Sequence, residues 1–315
     1  MSDIFRFSCT ACGACCSSPP SLYLNELLEQ SAHFVLIPTF TLGHRVGPKS
    51  DLLRRSIAEQ SGVDPKEDPA AFEQSVRTYT AESAAYGAPF PGAKNGELLK
   101  ISLMGLDAFT GEPCPKRGGD GRCQHYEGRP LICQAVPVHP FLTGPYRVQD
   151  LERFVRRGQR RGFKCDTSDE APPLLENGKI LDPDLRDAWL ASRRGREGDD
   201  MGRIRSTTLN AYLAVRRAIK FSDKALMDLI NYHGMSGVGL SFGLRDLLDA
   251  ARRARLLTDE ELIRICESQI RLVDEIYPRL PEVTSMVIAL SEGDTLKEGL
   301  SHETWRLSDL LDDLD

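Results

Sequence analysis

Short apolar blocks broken by Gly and Pro fill the first 170 residues, and long helical periods follow only afterwards. Leu22, Leu24, Leu27 and Leu28 predict a short amphipathic helix over 21–32. Residues 34–48 carry Phe34, Val35, Ile37 and Phe40 before Gly43, a strand followed by a loop. Helical patterns follow at 51–60 and 69–84, around a polar turn at Asp64–Pro65. Residues 86–97 are rich in Gly and Pro and read as loop, and Leu98–Leu103 as a strand. Gly118-Gly119-Asp120-Gly121 is a turn between two short segments. Pro130, Pro137, Pro140 and Pro145 keep the next stretch irregular.

Residues 171–184 read as a Pro-containing connection. Beyond Leu185 the chain is mainly helical, at about 207–232, 243–256, 258–277 and 301–313, with a strand at 283–290. The charged, Gly-containing stretch 193–205 reads as a solvated linker, and no internal repeat is present. The expectation is an α+β protein: an irregular cysteine-rich metal-binding module over 1–170 and a mainly helical C-terminal extension over 171–315.

A chain of 315 residues, 41% hydrophobic and 27% charged, can build a full core. Disulfide staples are therefore not needed to replace one. A net charge of −6 argues against a general nucleic-acid binder. Asp3, Arg6 and the early cysteines stand where the apolar part of a signal peptide would lie. No apolar run approaches the about 20 residues of a spanning helix. The expected setting is the cytoplasm without membrane association, where thiols stay reduced.

Eight of the nine cysteines fall within the first 165 residues. Cys9, Cys12, Cys15 and Cys16 occupy eight positions, and Cys114, Cys123, Cys133 and Cys165 follow. Thiolates are soft donors that suit zinc, copper(I) or iron–sulfur clusters. A Cys-x-x-Cys turn aims two sulfurs at one ion, and the third cysteine gives the C-x2-C-x2-C spacing of bacterial iron–sulfur loops. Cys16 adjoins Cys15, and neighbouring side chains diverge, so the two can serve different centres. Eight thiolates allow two four-coordinate centres, or one 4Fe–4S cluster with spare redox thiols. Spacing does not separate zinc from iron–sulfur. Cys-x-x-Cys also serves dithiol redox chemistry, but the βαβ pattern expected beside it is absent. Cys266, within an apolar helical pattern, reads as a small core residue.

The segment C-T-A-C-G-A-C-C, followed about 100 residues later by C-P-K-R-G-G-D-G-R-C-Q-H-Y-E-G-R-P-L-I-C-Q-A-V-P, resembles the CxxCxxCC cysteine-cluster family. That family is described as a zinc- or iron-chelating domain and includes flagellin lysine N-methylases. Cys114, Cys123, Tyr126, Arg129, Pro130, Cys133 and Pro137 match its second block, while Gln134 stands where the family has arginine. Cys165 resembles a further downstream cysteine, and the likeness spans about residues 6–166. It implies a metal- or cluster-bound module. Its methylase members would imply S-adenosylmethionine as methyl donor and a protein lysine as substrate. Gly237, Gly239 and Gly243 form a Gly-rich stretch, but between helical patterns rather than after a strand. It reads as a helix–helix loop.

Tyr126 and Arg129 lie between proposed ligands and read as supporting residues, packing locally or donating hydrogen bonds to sulfur. His125 and His139 are weaker ligand candidates among so many thiols. Arg153, Arg156, Arg157, Arg160, Arg161 and Lys164 read as a solvated helix face, or a patch for an acidic partner. The acidic, leucine-bearing tail reads as a docking helix. The leading expectation is binding of an iron–sulfur cluster, or else zinc, by the eight cysteines. The alternatives are a lysine-methylase-like or redox enzyme using the cluster, and a zinc-stabilised module that binds a protein partner. Catalytic residues and oligomeric state are not legible.

Overall fold

The apolar runs around Phe40 and Leu99 pair with each other, and that pairing organises much of the chain. A computed structural model describes residues 1–315 except 1–3, 11, 18–19, 46–50, 52–53, 56, 59–62, 91–92, 94–95, 106–113, 115, 126, 139–147, 161, 198–200, 221, 236–239, 277–295 and 315. Its strands are β1 Ile4–Arg6, β2 Ser21–Leu22, β3 Leu36–His44, β4 Glu97–Gly105, β5 Pro173–Glu176, β6 Lys179–Ile180 and β7 Leu240–Ser241. They form two antiparallel sheets, ordered β1-β5-β6 and β2-β4-β3-β7, among many helices, so the fold is α+β. Among the described residues no helix is long and apolar enough to cross a membrane.

The chain divides into two compact units that interleave along the sequence. One comprises 1–20, 48–79 and 107–195, and the other 21–47, 80–106 and 196–315. The expected organisation had a single boundary near residue 170. The physical reason for the interleaving is strand pairing: β2, β3 and β4 come from the first 105 residues but share a sheet with β7 at Leu240–Ser241. The strand at 283–290 lies outside the described residues.

In the first unit, β1 pairs with β5, placing Phe5 opposite Leu175. Asn177 and Gly178 both adopt positive φ, 48° and 77°, and turn β5 back into β6. Asn-Gly is the dipeptide that such a two-residue hairpin favours. The stretch expected to be a plain connection is therefore a hairpin. Phe5, Phe7, Val138, Leu151, Val155, Leu175, Leu185 and Trp189 form one core here, with Cys165 packed against it. Ile57, Val63, Phe72 and Val76 form a smaller one. The helix Pro69–Tyr86 matches the expected 69–84. The helix Pro183–Glu197 runs into the expected linker, and the next helix begins at Met201, so most of 193–205 is helical.

In the second unit, β3 and β4 pair over nine residues, from Leu36↔Gly105 to His44↔Glu97. Phe40 is fully buried and stacks on Phe242 at 4.0 Å between ring centroids. Residues 21–32 give β2, a 3-10 turn and a single α-turn rather than one helix. The expected helix 207–232 is two helices, Met201–Ile219 and Asp223–Met235. Lys220 takes φ of 54° at the break, and the Ser222 hydroxyl accepts the N–H of Ala225 as a cap. Helix Asp259–Ile276 starts at the expected place because Thr258 and Glu261 cap each other reciprocally.

Candidate metal centre

Three remote segments of the first unit meet around Cys12. The first is the early cysteine loop. Gly13 takes φ of 69° there, a left-handed turn that glycine adopts without strain. It redirects the chain into a 3-10 turn at Ala14–Ser17, which carries Cys15 and Cys16. The side chain of Cys16 lies outside the described structure. Cys9 and Cys15 are exposed, and Cys12 is half-buried.

The second segment is the knuckle of 114–124. The turn expected at Gly118–Gly121 forms: Gly118 N–H donates to Arg122 carbonyl, and Gly121 N–H to Gly118 carbonyl. Arg117 pairs with Cys123 as an antiparallel bridge, and its N–H donates to the Cys114 carbonyl at 2.8 Å. Its guanidinium leaves the knuckle and donates from Nη2 to the Cys12 carbonyl at 3.0 Å.

The third segment holds Cys165. Helix Val148–Arg160 buries Leu151 and Val155 in the core and leaves Arg156 and Arg160 exposed, as a solvated basic face requires. Its C-terminus closes in a Schellman arrangement. Phe163 N–H bonds the Gly158 carbonyl, Gly162 N–H bonds the Gln159 carbonyl, and Gly162 takes φ of 92°. Phe163 folds back edge-on to Phe154, at 6.4 Å between centroids. The chain then returns beside the N-terminus. Ser8 and Asp166 exchange two backbone hydrogen bonds, and Thr10 Oγ1 donates to the Lys164 carbonyl at 2.7 Å. Lys164 N–H points at Cys12 Sγ, 3.4 Å away.

The thiols feel this arrangement. Backbone N–H groups of Ala14 and Lys164 hold the Cys12 thiol below its ordinary pKa. Cys165 is pushed up, first by burial and then by repulsion from Cys12 and Cys9. Of Cys12 and Cys165, only the latter is raised by its neighbours' charge, and soft sulfur donors of this kind accept zinc or iron. The Lys164 N–H aimed at sulfur suits an ionised Cys12.

Cys133 lies in the short helix Leu131–Gln134, entered through Pro130, and the Cys133 N–H bonds the Pro130 carbonyl. Gln134, which replaces the arginine of the resembled motif, donates from Nε2 to the Arg129 carbonyl and closes this turn. Arg129 and His125 are half-buried, and His125 sits over Gly128. Tyr126 and His139 lie outside the described residues. None of the eight cysteines with described side chains is in a disulfide. Among the described residues, no three His, Cys, Asp or Glu side chains are grouped so as to hold one metal ion. Backbone segments have met; the described sulfurs have not closed on one point.

Arg117 is the residue that sequence reasoning missed here, and its signal was a cation three positions after Cys114. Lys164, read only as part of the basic run, serves the site through its backbone N–H and carbonyl.

The Gly-rich stretch in the second unit has a different outcome. Gly237 and Gly239 lie outside the described residues. Leu240–Ser241 is β7, a short strand where a helix–helix loop was expected, and Gly243 caps helix Leu244–Arg253. That helix start is filled from within. Glu303 Oε1 accepts Arg245 N–H at 2.7 Å, and Arg306 stands where a Cβ on Gly243 would be. A phosphate has no room at that place. Comparison with known proteins adds no relative: the chain matches no family model, no curated protein and no solved structure.

Proposed function

We propose that this protein binds metal through its clustered cysteines, holding an iron–sulfur cluster of 4Fe–4S type or, as the second choice, zinc. The observation that carries this reading is the meeting of the Cys9–Cys16 loop, the Cys114–Cys123 knuckle and the Cys165 segment through the hydrogen bonds around Cys12. Segments more than 100 residues apart gain little from burying polar backbone together. Cysteines on each of these segments, with backbone N–H groups at the Cys12 sulfur, give that convergence a chemical use. Cys9, Cys12, Cys15, Cys16, Cys114, Cys123, Cys133 and Cys165 are the proposed ligand pool, with Tyr126 and Arg129 as supporting residues. Bound metal would supply cross-links between these segments, and an iron–sulfur cluster would add one-electron chemistry.

The reading carries the resemblance to the CxxCxxCC family with it. A methylase activity has no observation in its favour, since the one Gly-rich helix start that is described is filled by Glu303 and Arg306. The test is elemental and acid-labile sulfide analysis of protein isolated without oxygen. Iron with sulfide and a broad absorption near about 400 nm supports the cluster. Colourless protein with stoichiometric zinc supports the zinc form. Protein that carries neither and takes up neither on reconstitution refutes the proposal.

A further inference from the structure

Resting on that reading, we propose that Arg117 is the positioning residue that couples the two cysteine blocks, and that Gly13 is its seat. A Cβ at position 13 would lie 2.0 Å from Arg117 Nε and 2.3 Å from Cζ. Positive φ alone would make glycine favourable there; the guanidinium makes any side chain collide. Nη2 donates to the Cys12 carbonyl at 3.0 Å, so the guanidinium holds the peptide between Cys12 and Gly13. The same residue's backbone is bonded to Cys114 and paired with Cys123. One side chain therefore reaches from the later knuckle to the middle of the early loop, and it is half-buried in doing so.

Two consequences follow. Arg117 fixes where Cys12 stands relative to Cys114 and Cys123, which sequence separation leaves open. It also sets a permanent positive charge on the peptide that follows Cys12, where lysine would offer a smaller, differently shaped donor. Groups that orient metal ligands in this way typically change affinity by about 10–100-fold when removed.

The experiment uses the full chain with Arg117→Ala, Arg117→Lys, Gly13→Ala and, as an exposed control, Arg156→Ala. Zinc affinity is measured by competition with a chromophoric chelator. Arg117→Ala and Gly13→Ala are each expected to weaken zinc binding by about 10–100-fold. Arg117→Lys should recover part of the loss, and Arg156→Ala should match the parent. Unchanged affinity in Arg117→Ala and Gly13→Ala overturns the proposal. Amide hydrogen exchange of the metal-free chain gives the second readout. Both loops, 9–17 and 114–124, should exchange faster in Arg117→Ala, and equal protection in both overturns the coupling. Should the parent chain bind no zinc or iron, the metal reading fails by itself, while the exchange comparison still decides whether Arg117 joins the loops.

Discussion

Cys12 and Cys266 are the same side chain in opposite surroundings. Cys12 sits at a junction of loops, half-exposed, with N–H groups of Ala14 and Lys164 favouring its thiolate. Cys266 lies in helix Asp259–Ile276 of the other unit at 0% exposure, on the helix that also buries Leu262 and Ile265. Burial, and then the charges of Glu303 and Glu267, push its thiol up to about 12. The contrast extends to the regions around them. Near Cys12, long-range backbone and side-chain bonds tie loops together. Near Cys266, apolar packing is supplemented by a buried polar side chain that ties the helix to its neighbours. Gln269 shows this best: it is fully buried, accepts the Leu36 N–H at 2.7 Å and donates to the carbonyls of Ser31 and Phe34. One region leaves its thiol accessible, and the other seals it in a core.

The largest expected effect tests that contrast directly. In metal-free native protein at pH 7, alkylation of Cys12 should outpace that of Cys266 by more than about a thousandfold, because only the thiolate reacts. Peptide mapping by mass spectrometry reads both sites, and comparable rates would break the comparison. Next, Cys12→Ser and Cys133→Ser should each lower the metal-to-protein ratio, while Cys266→Ser leaves it unchanged. Undiminished metal in both of the first two variants would remove them from the ligand pool. Third, Gln269→Leu strands the Leu36 N–H and two carbonyls, so urea unfolding should show a loss of about 3 kcal/mol. A loss below about 1 kcal/mol would mean that water or a neighbour takes over those groups.

The smallest effect concerns His44, opposite Glu97 at the end of the β3–β4 pairing. Burial lowers its pKa, with Glu97 opposing and Lys100 adding to the shift. The folded state therefore resists protonation. Its contribution is complete above the ordinary histidine pKa of about 6.5 and is lost as pH falls through the lower folded value. The parent should lose a little more stability than His44→Gln between pH 7 and pH 5. Parallel melting curves across that range would remove His44 as the cause.

Local chemistry explains what was legible beforehand. The apolar period over 258–277 marked a helix, Gly118–Gly121 marked a turn, and the apolar runs at Phe40 and Leu99 marked strands. Their causes act within a few residues. The break at Lys220 was missed although Ser222 and Asp223 spell a helix start, because unbroken apolar periodicity ran across it. The hairpin at Asn177–Gly178 was missed because Pro172 and Pro173 suggested a plain connection.

Sequence by itself determined the inventory: which positions carry thiols, that 118–121 turns, and that Cys266 belongs to a helix core. Only the tertiary structure decided that β2, β3 and β4 leave the N-terminal half to join β7, and that Arg117 reaches Cys12 across 105 positions. Strand pairing and a guanidinium's reach depend on which segments are neighbours in space. Burial of remote apolar faces chooses those neighbours, and no local spacing records that choice.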